Sequence, residues 1–285
     1  MLNLTWIKTL VTLLQVGSFQ AAAERLNLAQ PTVTQHIQKL EEQLGVSLVR
    51  RARVGCQPTE AAERLLPYAQ GLLRLNERAL AAVLGSPGWR VGASSNIGIY
   101  LLQPYLSQFM QTPAATPVEL VIDNNPEIAQ KLSTAQLDMA VMEWWAPQDG
   151  FRACPWRREP MVLIVPPDHP FACLSEITPA HLAGMPLIGG EPGTGTGRLL
   201  DRFFNTDVPG VSMQLGSTEA VKRAVRAGLG ISLVLASSVS EEVLAGTLCA
   251  IPLAGEGISK ELMLVWRETA GAHMPDFAQH LLNNA

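Results

Sequence analysis

SFQAAAERLNLAQPTVTQHIQKLEEQLGVSLVRRARVGCQ, residues 18–57, carries two short amphipathic helical patterns, a tight turn between them and a basic segment after them. Phe19, Ala22, Ala23 and Leu26 fall at i, i+3, i+4 and i+7, which is one face of a helix. Gly17 and Ser18 ahead of them suit a stop followed by an N-cap. A second helix is predicted to start at Pro31, whose missing N–H has no partner in a first turn anyway. Its apolar stripe is Val33, Ile37, Leu40 and Leu44. Its opposite stripe is Thr32, Gln35, His36 and Lys39, at the same spacing.

That opposite stripe holds no carboxylate, and every member can donate a hydrogen bond. Gln35 can bond an adenine edge through both ends of its amide. Gln30, just before the helix, adds a second amide, and Thr34 beside the stripe can bond phosphate. An α-helix fits the DNA major groove, so the stripe is a candidate reading face. A solvated helix face is polar in any case. The stripe gains weight from Arg50, Arg51 and Arg53, which follow within a few residues and suit a wing that grips phosphates.

The segment from Ser18 to Thr59 resembles the winged helix-turn-helix of LysR-type transcriptional regulators. The matching elements are GSFQAAAERL, AQPTVTQHIQKLEEQLG, SLVRR and PTEAA. The family usually has Phe where Val49 stands and Gly where Ala62 stands. Neither change touches the stripe, although Val49 is expected to loosen the packing beneath the wing.

The charge distribution agrees. Residues 1–58 hold six basic side chains against three acidic ones, a net of +3, while the whole chain of 285 residues is at −4, which leaves −7 on the remainder. A small basic head on an acidic body is the asymmetry of a modular DNA binder. The hydrophobic fraction of 47% suffices for sizeable cores. No apolar run approaches the roughly 20 residues needed to span a bilayer, and no signal peptide opens the chain, so cytoplasmic residence is expected. Cys56, Cys154, Cys173 and Cys249 form no C-x-x-C pair, so no metal site is implied and reduced thiols are expected. Only Cys154, near Arg152, Arg157 and Arg158, has a setting that suggests a redox alternative.

Leu4, Ile7, Val11 and Leu14 give a first helical face that backs the two helices. Thr59 can cap a long helix reaching about Leu84. Its face of Leu65, Leu66, Ala69, Leu72, Leu73, Leu80 and Val83 is expected to bury against another chain, with a bend at Pro67. The resemblance implies an antiparallel dimer contact there. Residues 85–88, GSPG, mark a hinge.

Beyond the hinge, short strands alternate with helical stretches: RVGAS, a helix over 98–110, VELVI, a helix over 126–135, DMAVM, MVLIV, PLIGG, a helix over 198–204, VSMQL, a helix over 219–227, and ISLVL. This is an α/β domain with largely parallel sheets. MVLIV and KELMLVW are candidates for strands that cross between two subdomains. EPGTGTGR and LGSTEAVKRAVRAGLGISLV are similar to the effector-binding half of LysR-type regulators, which is built like a type 2 periplasmic binding protein. The expected layout is a winged head over 1–58, a linker helix and hinge over 59–87, and an effector domain over 88–285. Its two subdomains would span about 88–160 with 267–285, and 161–266.

In open α/β sheets ligands sit beyond the carboxyl ends of strands, near helix starts. That rule selects Ser94, Ser95 and Asn96 after the first strand, Asn124 and Asn125 after the second, and Glu143 after DMAVM. It also selects Thr194 and Thr196 in the glycine-rich turn, and Ser217 and Thr218 at a helix start. Neutral hydrogen-bonding residues at helix starts favour a small carboxylate or phosphate, although each residue alone is also an ordinary cap. The resemblance implies that Asn96, Asn125 and Thr218 line the effector cleft. GEPGTGTGR lacks the order of a nucleotide loop. No G-x-S-x-G or H-E-x-x-H is present, which argues against an enzyme, and no cofactor is implied. The resemblance further implies a homodimer or homotetramer on an inverted-repeat site of double-stranded DNA, working with RNA polymerase and a small-molecule effector. No membrane partner is expected.

Overall fold

A computed structural model describes residues 1–51, 55–84, 88–112, 116–185, 187–190, 211–255, 257–268 and 274–285. Arg53, the hinge at 85–87, Thr194, Thr196 and the expected helix over 198–204 lie outside these residues, as does the side chain of Arg51. Two compact units are present, Met1–Gly88 with Lys131–Leu137, and Trp89–Gln130 with Asp138–Ala285.

In the first unit α1 spans Leu4–Val16, capped by the Asn3 side chain, which accepts from the Thr5 amide at 2.8 Å. Gly17 ends it in the left-handed region at φ 70°, and Ser18 caps α2, Phe19–Leu26. The third helix, α3, spans Gln30–Leu44, so Gln30 lies inside the helix rather than before it. Pro31 stays within the first turn, where no N–H is needed. Ile7, Leu10, Leu13, Ala22, Val33 and Leu40 are completely buried in one core, with Ala23, Ile37 and Leu48 nearly so. The outermost members of two predicted stripes, Leu4 and Leu44, are exposed because they overhang the ends of this small core.

The wing is the antiparallel pair β1, Val49–Arg51, and β2, Cys56–Pro58, with Arg50 opposite Gln57. Glu41 holds its entry: one carboxylate oxygen accepts from the amides of Leu48 at 2.6 Å and Val49 at 3.1 Å. Val49 is half-buried beneath the wing. The wing is pinned at the start of β2, where the Cys56 amide donates to the Gly17 carbonyl at 2.9 Å. Gly55 makes this approach possible. Its φ is 74°, and a Cβ there would press into the Gly17 carbonyl oxygen.

The long helix α4 spans Glu60–Leu84, with Pro67 inside it. It was expected to bury its apolar face against another chain, but its first half belongs to the head. Ala62 and Ala69 are completely buried in the head's core, and Leu65, Leu66 and Leu73 pack on it. What stays uncovered is a second stripe of Tyr68, Leu72, Leu75, Leu80 and Val83.

The second unit contains β3 Trp89–Ser94, α5 Ser95–Tyr100, α6 Leu102–Met110, β4 Val118–Asp123, α7 Asn125–Ser133, β5 Met139–Met142, β6 Phe151–Val165, α8 Pro179–Leu182 and β7 Leu187–Gly189. These are followed by β8 Val211–Gln214, α9 Thr218–Arg226, β9 Ser232–Leu235, α10 Ser240–Leu244, β10 Cys249–Pro252, β11 Ser259–Arg267 and α11 Asp276–Asn283. The main sheet runs β10-β6-β11-β5-β3-β4, with β9 also on β6, and β7 pairs with β8.

Its sheets are mixed rather than largely parallel. β3 is parallel to β4 and β5, and β7 to β8, but β11 is antiparallel to β5 and β6, and β6 to β9 and β10. The antiparallel pairs arise because the chain crosses outward on β6 and returns on β11. The first half of β6, FRACPWRREP, reads as loop because two prolines and four arginine or glutamate side chains interrupt it. A bulge opposite Leu262 and Met263 leaves Trp156 unpaired in the ladder, and its Nε1 donates to the Leu281 carbonyl at 3.0 Å.

One core gathers Val91, Ile97, Leu102, Met139, Trp156 and Phe277. Another gathers Met161, Leu163, Ile177, Ile231 and Ile251, and a third, smaller one holds Ile164, Val221 and Val225. Leu262, Leu264 and Trp266 lie in the first core, so the return crossing falls near residue 259, not at 266, because β11 must pair with β5 along this length.

Gly55→Ala places a side chain in the left-handed region and against a backbone carbonyl. A loss of about 1–3 kcal/mol is expected. It would be measured by chemical denaturation, with faster hydrogen exchange at the Cys56 amide than at the buried amides of α1. An unchanged Cys56 exchange rate would show that the wing is not pinned there.

Candidate functional site

Two sites follow from these elements. On α3, Gln35 and Lys39 are exposed, and Thr32, Thr34 and His36 half-buried. Thr34 donates its hydroxyl to the Gln30 carbonyl at 3.2 Å. The predicted stripe is not free along its whole length, because α1 engages two of its members. His36 Nδ1 lies 2.9 Å from the Thr9 hydroxyl, and the Lys39 ammonium sits 5.8 Å from the centre of the Trp6 ring. Gln35 is thus the stripe's unencumbered amide. Arg50 is exposed on the wing, and of the two acids near the end of α3, Glu41 is occupied by the wing's backbone and Glu42 is exposed.

The second site lies at the carboxyl ends of β3 and β5. Glu143 follows β5 and is buried, with its side chain 1% exposed. One carboxylate oxygen accepts from the Asn96 amide at 2.9 Å, and the other forms an ion pair with Lys260. The Glu143 amide donates to the Asn125 side chain at 2.9 Å and to the Ser94 hydroxyl at 3.1 Å. Asn125 returns a hydrogen bond to the Trp144 carbonyl at 3.0 Å. Thr218, at the start of α9, donates its hydroxyl to the Asn96 side-chain oxygen Oδ1 at 2.7 Å. Since α9 packs in the third core and Asn96 lies beside the first, this bond links the two.

Of the expected cleft residues, Ser94, Asn96, Asn125, Glu143 and Thr218 therefore form one network. Ser95 is half-buried on the first turn of α5. Asn124 and Ser217 serve as caps: Asn124 accepts from the Glu127 amide at 2.9 Å and Ser217 from the Ala220 amide at 3.2 Å.

Sequence reasoning missed Lys260. The signal was present: in KELMLVW the lysine shares its strand face with Leu262, Leu264 and Trp266, which points it inward. It also missed a second buried lysine. Lys222 pairs with Glu242 at 2.6 Å and Glu219 at 3.1 Å, and lies 4.8 Å from the centre of the Tyr100 ring. Burial pulls the Lys222 ammonium toward neutrality, but its bonds to Glu242 and Glu219 prevail and hold its pKa above the usual lysine value. Burial raises the Tyr100 hydroxyl, against the opposing pull of Lys222. Hydrogen bonds from Lys222 and Arg223 hold Glu219 below the carboxylate range.

Burial pushes both Cys56 and Cys154 up, so the arginines near Cys154 in sequence do not activate it. All four thiols are unpaired. Among the described residues no group of side chains suits a metal ion, and no helix is long and apolar enough to cross a membrane.

A winged helix-turn-helix joined to an α/β binding unit defines a ligand-responsive DNA-binding regulator. The profile "Bacterial regulatory helix-turn-helix protein, lysR family" matches residues 4–63, and "LysR substrate binding domain" matches residues 85–285. The chain belongs to the LysR family of transcriptional regulators, a family of regulators and not of enzymes.

The protein PtxE of Stutzerimonas stutzeri, an HTH-type regulator by name, is 53% identical over 197 residues, covering 69% of this chain and all of the relative. The HTH-type transcriptional regulator CbbR of Xanthobacter flavus is 31% identical over 258 residues, covering 87% of this chain and 77% of the relative. The structure of full-length CbnR complexed with its target DNA matches with a TM-score of 0.74 at 20% identity, covering 99% of this chain and 98% of that one.

Lys260→Met leaves the Glu143 carboxylate buried without its cation, and a loss of about 3–5 kcal/mol is expected on chemical denaturation. Adding Glu143→Gln should restore most of it, because neither charge is then stranded. Additive losses in the double variant would refute the pairing.

Proposed function

We propose that α3 enters the DNA major groove and reads base edges with Gln30, Thr32, Gln35 and His36, while Lys39 and Thr34 contact the backbone. Arg50, with Arg51 and Arg53, grips phosphates from the wing. The observation that carries this reading is the stretch of α3 from Gln30 to Lys39, which holds no carboxylate and exposes Gln35 and Lys39, beside Arg50 on the wing, with the Glu41 carboxylate engaged by backbone amides. The uncovered stripe on α4 supports pairing with a second copy, giving a dimer or tetramer on an inverted-repeat site. RNA polymerase is the partner such a regulator addresses.

The effector is a small anion held in the cleft, at the starts of α5, α7 and α9. Lys260 already faces Glu143, so attraction comes from helix N–H groups and from Asn96 and Thr218 rather than from a free cation. By entering between Asn96 and Thr218, the effector favours one arrangement of the two cores and shifts the population of DNA-binding states. The effector domain is read as 88–285 and the head as 1–58, with α4 and the hinge between.

Gln35→Ala should lower discrimination between the target duplex and a shuffled one by about 1–3 kcal/mol in fluorescence anisotropy. Arg50→Ala should weaken both duplexes alike and flatten the salt dependence. Equal loss on both duplexes for Gln35→Ala would sink the assignment of that residue.

A panel of small carboxylates and phosphate esters should contain a compound that raises the melting temperature. Thr218→Val should weaken that compound's binding about tenfold by calorimetry, the scale of one lost hydrogen bond. Undiminished binding would place the effector elsewhere.

A further inference from the structure

We propose that Thr9, buried in α1, fixes the tautomer of His36 and thereby decides which base edges this position of α3 accepts. The proposal rests on the reading of α3 as the DNA-contacting helix.

The Thr9 hydroxyl oxygen lies 2.9 Å from the Thr5 carbonyl oxygen and 2.9 Å from His36 Nδ1. A carbonyl oxygen only accepts, so the bond to Thr5 takes the single proton of the hydroxyl. The threonine oxygen then presents lone pairs to His36. The contact is a hydrogen bond only when Nδ1 carries the proton. The reverse assignment would set the lone pairs of two oxygens against each other at 2.9 Å with no proton between them. Thr9 is 1% exposed, so little water reaches it to relieve such a clash.

A neutral imidazole protonated at Nδ1 has a bare Nε2, which is an acceptor. In the major groove the donors are the amino groups of adenine and cytosine, whereas guanine O6 and thymine O4 are acceptors. His36 therefore selects adenine or cytosine and meets guanine or thymine lone pair to lone pair. This reverses the sequence-based expectation that every member of the stripe donates. It also gives α3 a division of labour: Lys39 donates, Gln35 does both, and His36 only accepts. Thr9 is a positioning residue, because it acts on DNA only through His36.

The test uses the full-length protein with isotopically labelled histidine nitrogens at about pH 8, above the ordinary histidine pKa of about 6.5. A long-range nitrogen–proton correlation spectrum reports the tautomer of each ring, and the His36→Gln variant assigns the His36 signals. His36 is expected to show a protonated Nδ1 and a bare Nε2. Thr9→Val, which keeps the buried volume but removes the acceptor, should convert His36 to the Nε2–H form or to a mixture. Thr9→Ser, which keeps the hydroxyl, should preserve the original form.

The same three proteins are then offered a pool of randomised duplexes. Wild type and Thr9→Ser should select adenine or cytosine at one position. Thr9→Val should lose that preference by about three- to tenfold, the scale of one hydrogen bond, with the other positions unchanged. An Nε2–H tautomer in the wild type would overturn the proposal, as would an unaltered selection by Thr9→Val despite a changed tautomer. Absence of any sequence selection by the wild type would overturn the DNA-reading assignment itself. The spectrum separates that failure from the other two, since it is read without DNA.

Discussion

The pairing of β6 with β11 carries the larger unit. β6 begins in the first core and ends among the residues of the other two, while β11 stays with the first; the two strands are hydrogen-bonded from Phe151 to Pro160 and from Ser259 to Arg267. β6 alone serves both ends, lying beside β11 up to Pro160 and between β9 and β10 beyond it. The bulge at Trp156 increases the local twist, and its indole is locked to the Leu281 carbonyl. At the end of this pair sits Lys260, the residue that meets Glu143. The buried ion pair thus stands where the chain changes core. A buried charge tolerates little displacement, so the geometry of the crossing and that of the cleft are fixed by the same contact.

The smaller unit depends in a similar way on α1. Ile7, Leu10 and Leu13 fill the core, while Trp6 and Thr9 meet α3, and the carbonyl that follows the helix at Gly17 receives the wing. One helix that touches no nucleic acid in the proposed reading nevertheless orients every element that does. A substitution in α1 would therefore alter recognition without removing any contact to DNA.

Much of this was legible in the sequence, for identifiable reasons. Period-3.6 stripes located α1 to α4, because their core faces are regular and their ends carry Asn3, Gly17, Ser18 and Gly45. Apolar strands such as VELVI and DMAVM stood out for the same reason. The first half of β6 did not, since its ladder is half-exposed and proline-broken, and only the pairing with distant β11 makes it a strand. Asn96, Asn125, Glu143 and Thr218, selected by a topological rule about strand ends, belong to one hydrogen-bonded network. Lys260 and Lys222 escaped that rule because each lies inside an element, and each is paired with a carboxylate distant in the chain, Glu143 and Glu242. Asn124 and Ser217 act as helix caps, whose chemistry in the sequence is the same as that of a ligand contact.

The half-buried origin of α4 has a mechanical consequence. Because Ala62 and Ala69 are part of the head's core, the helix cannot roll or slide beneath the head without opening that core. Wherever two copies pair through Tyr68, Leu72 and Leu75, the separation of their two α3 helices is set by the crossing of the two shafts. Half-sites one turn apart lie about 34 Å from each other along DNA. The pair then works as calipers with rigid arms, and a small change in crossing angle, magnified along the arm, decides which spacing of half-sites can be spanned.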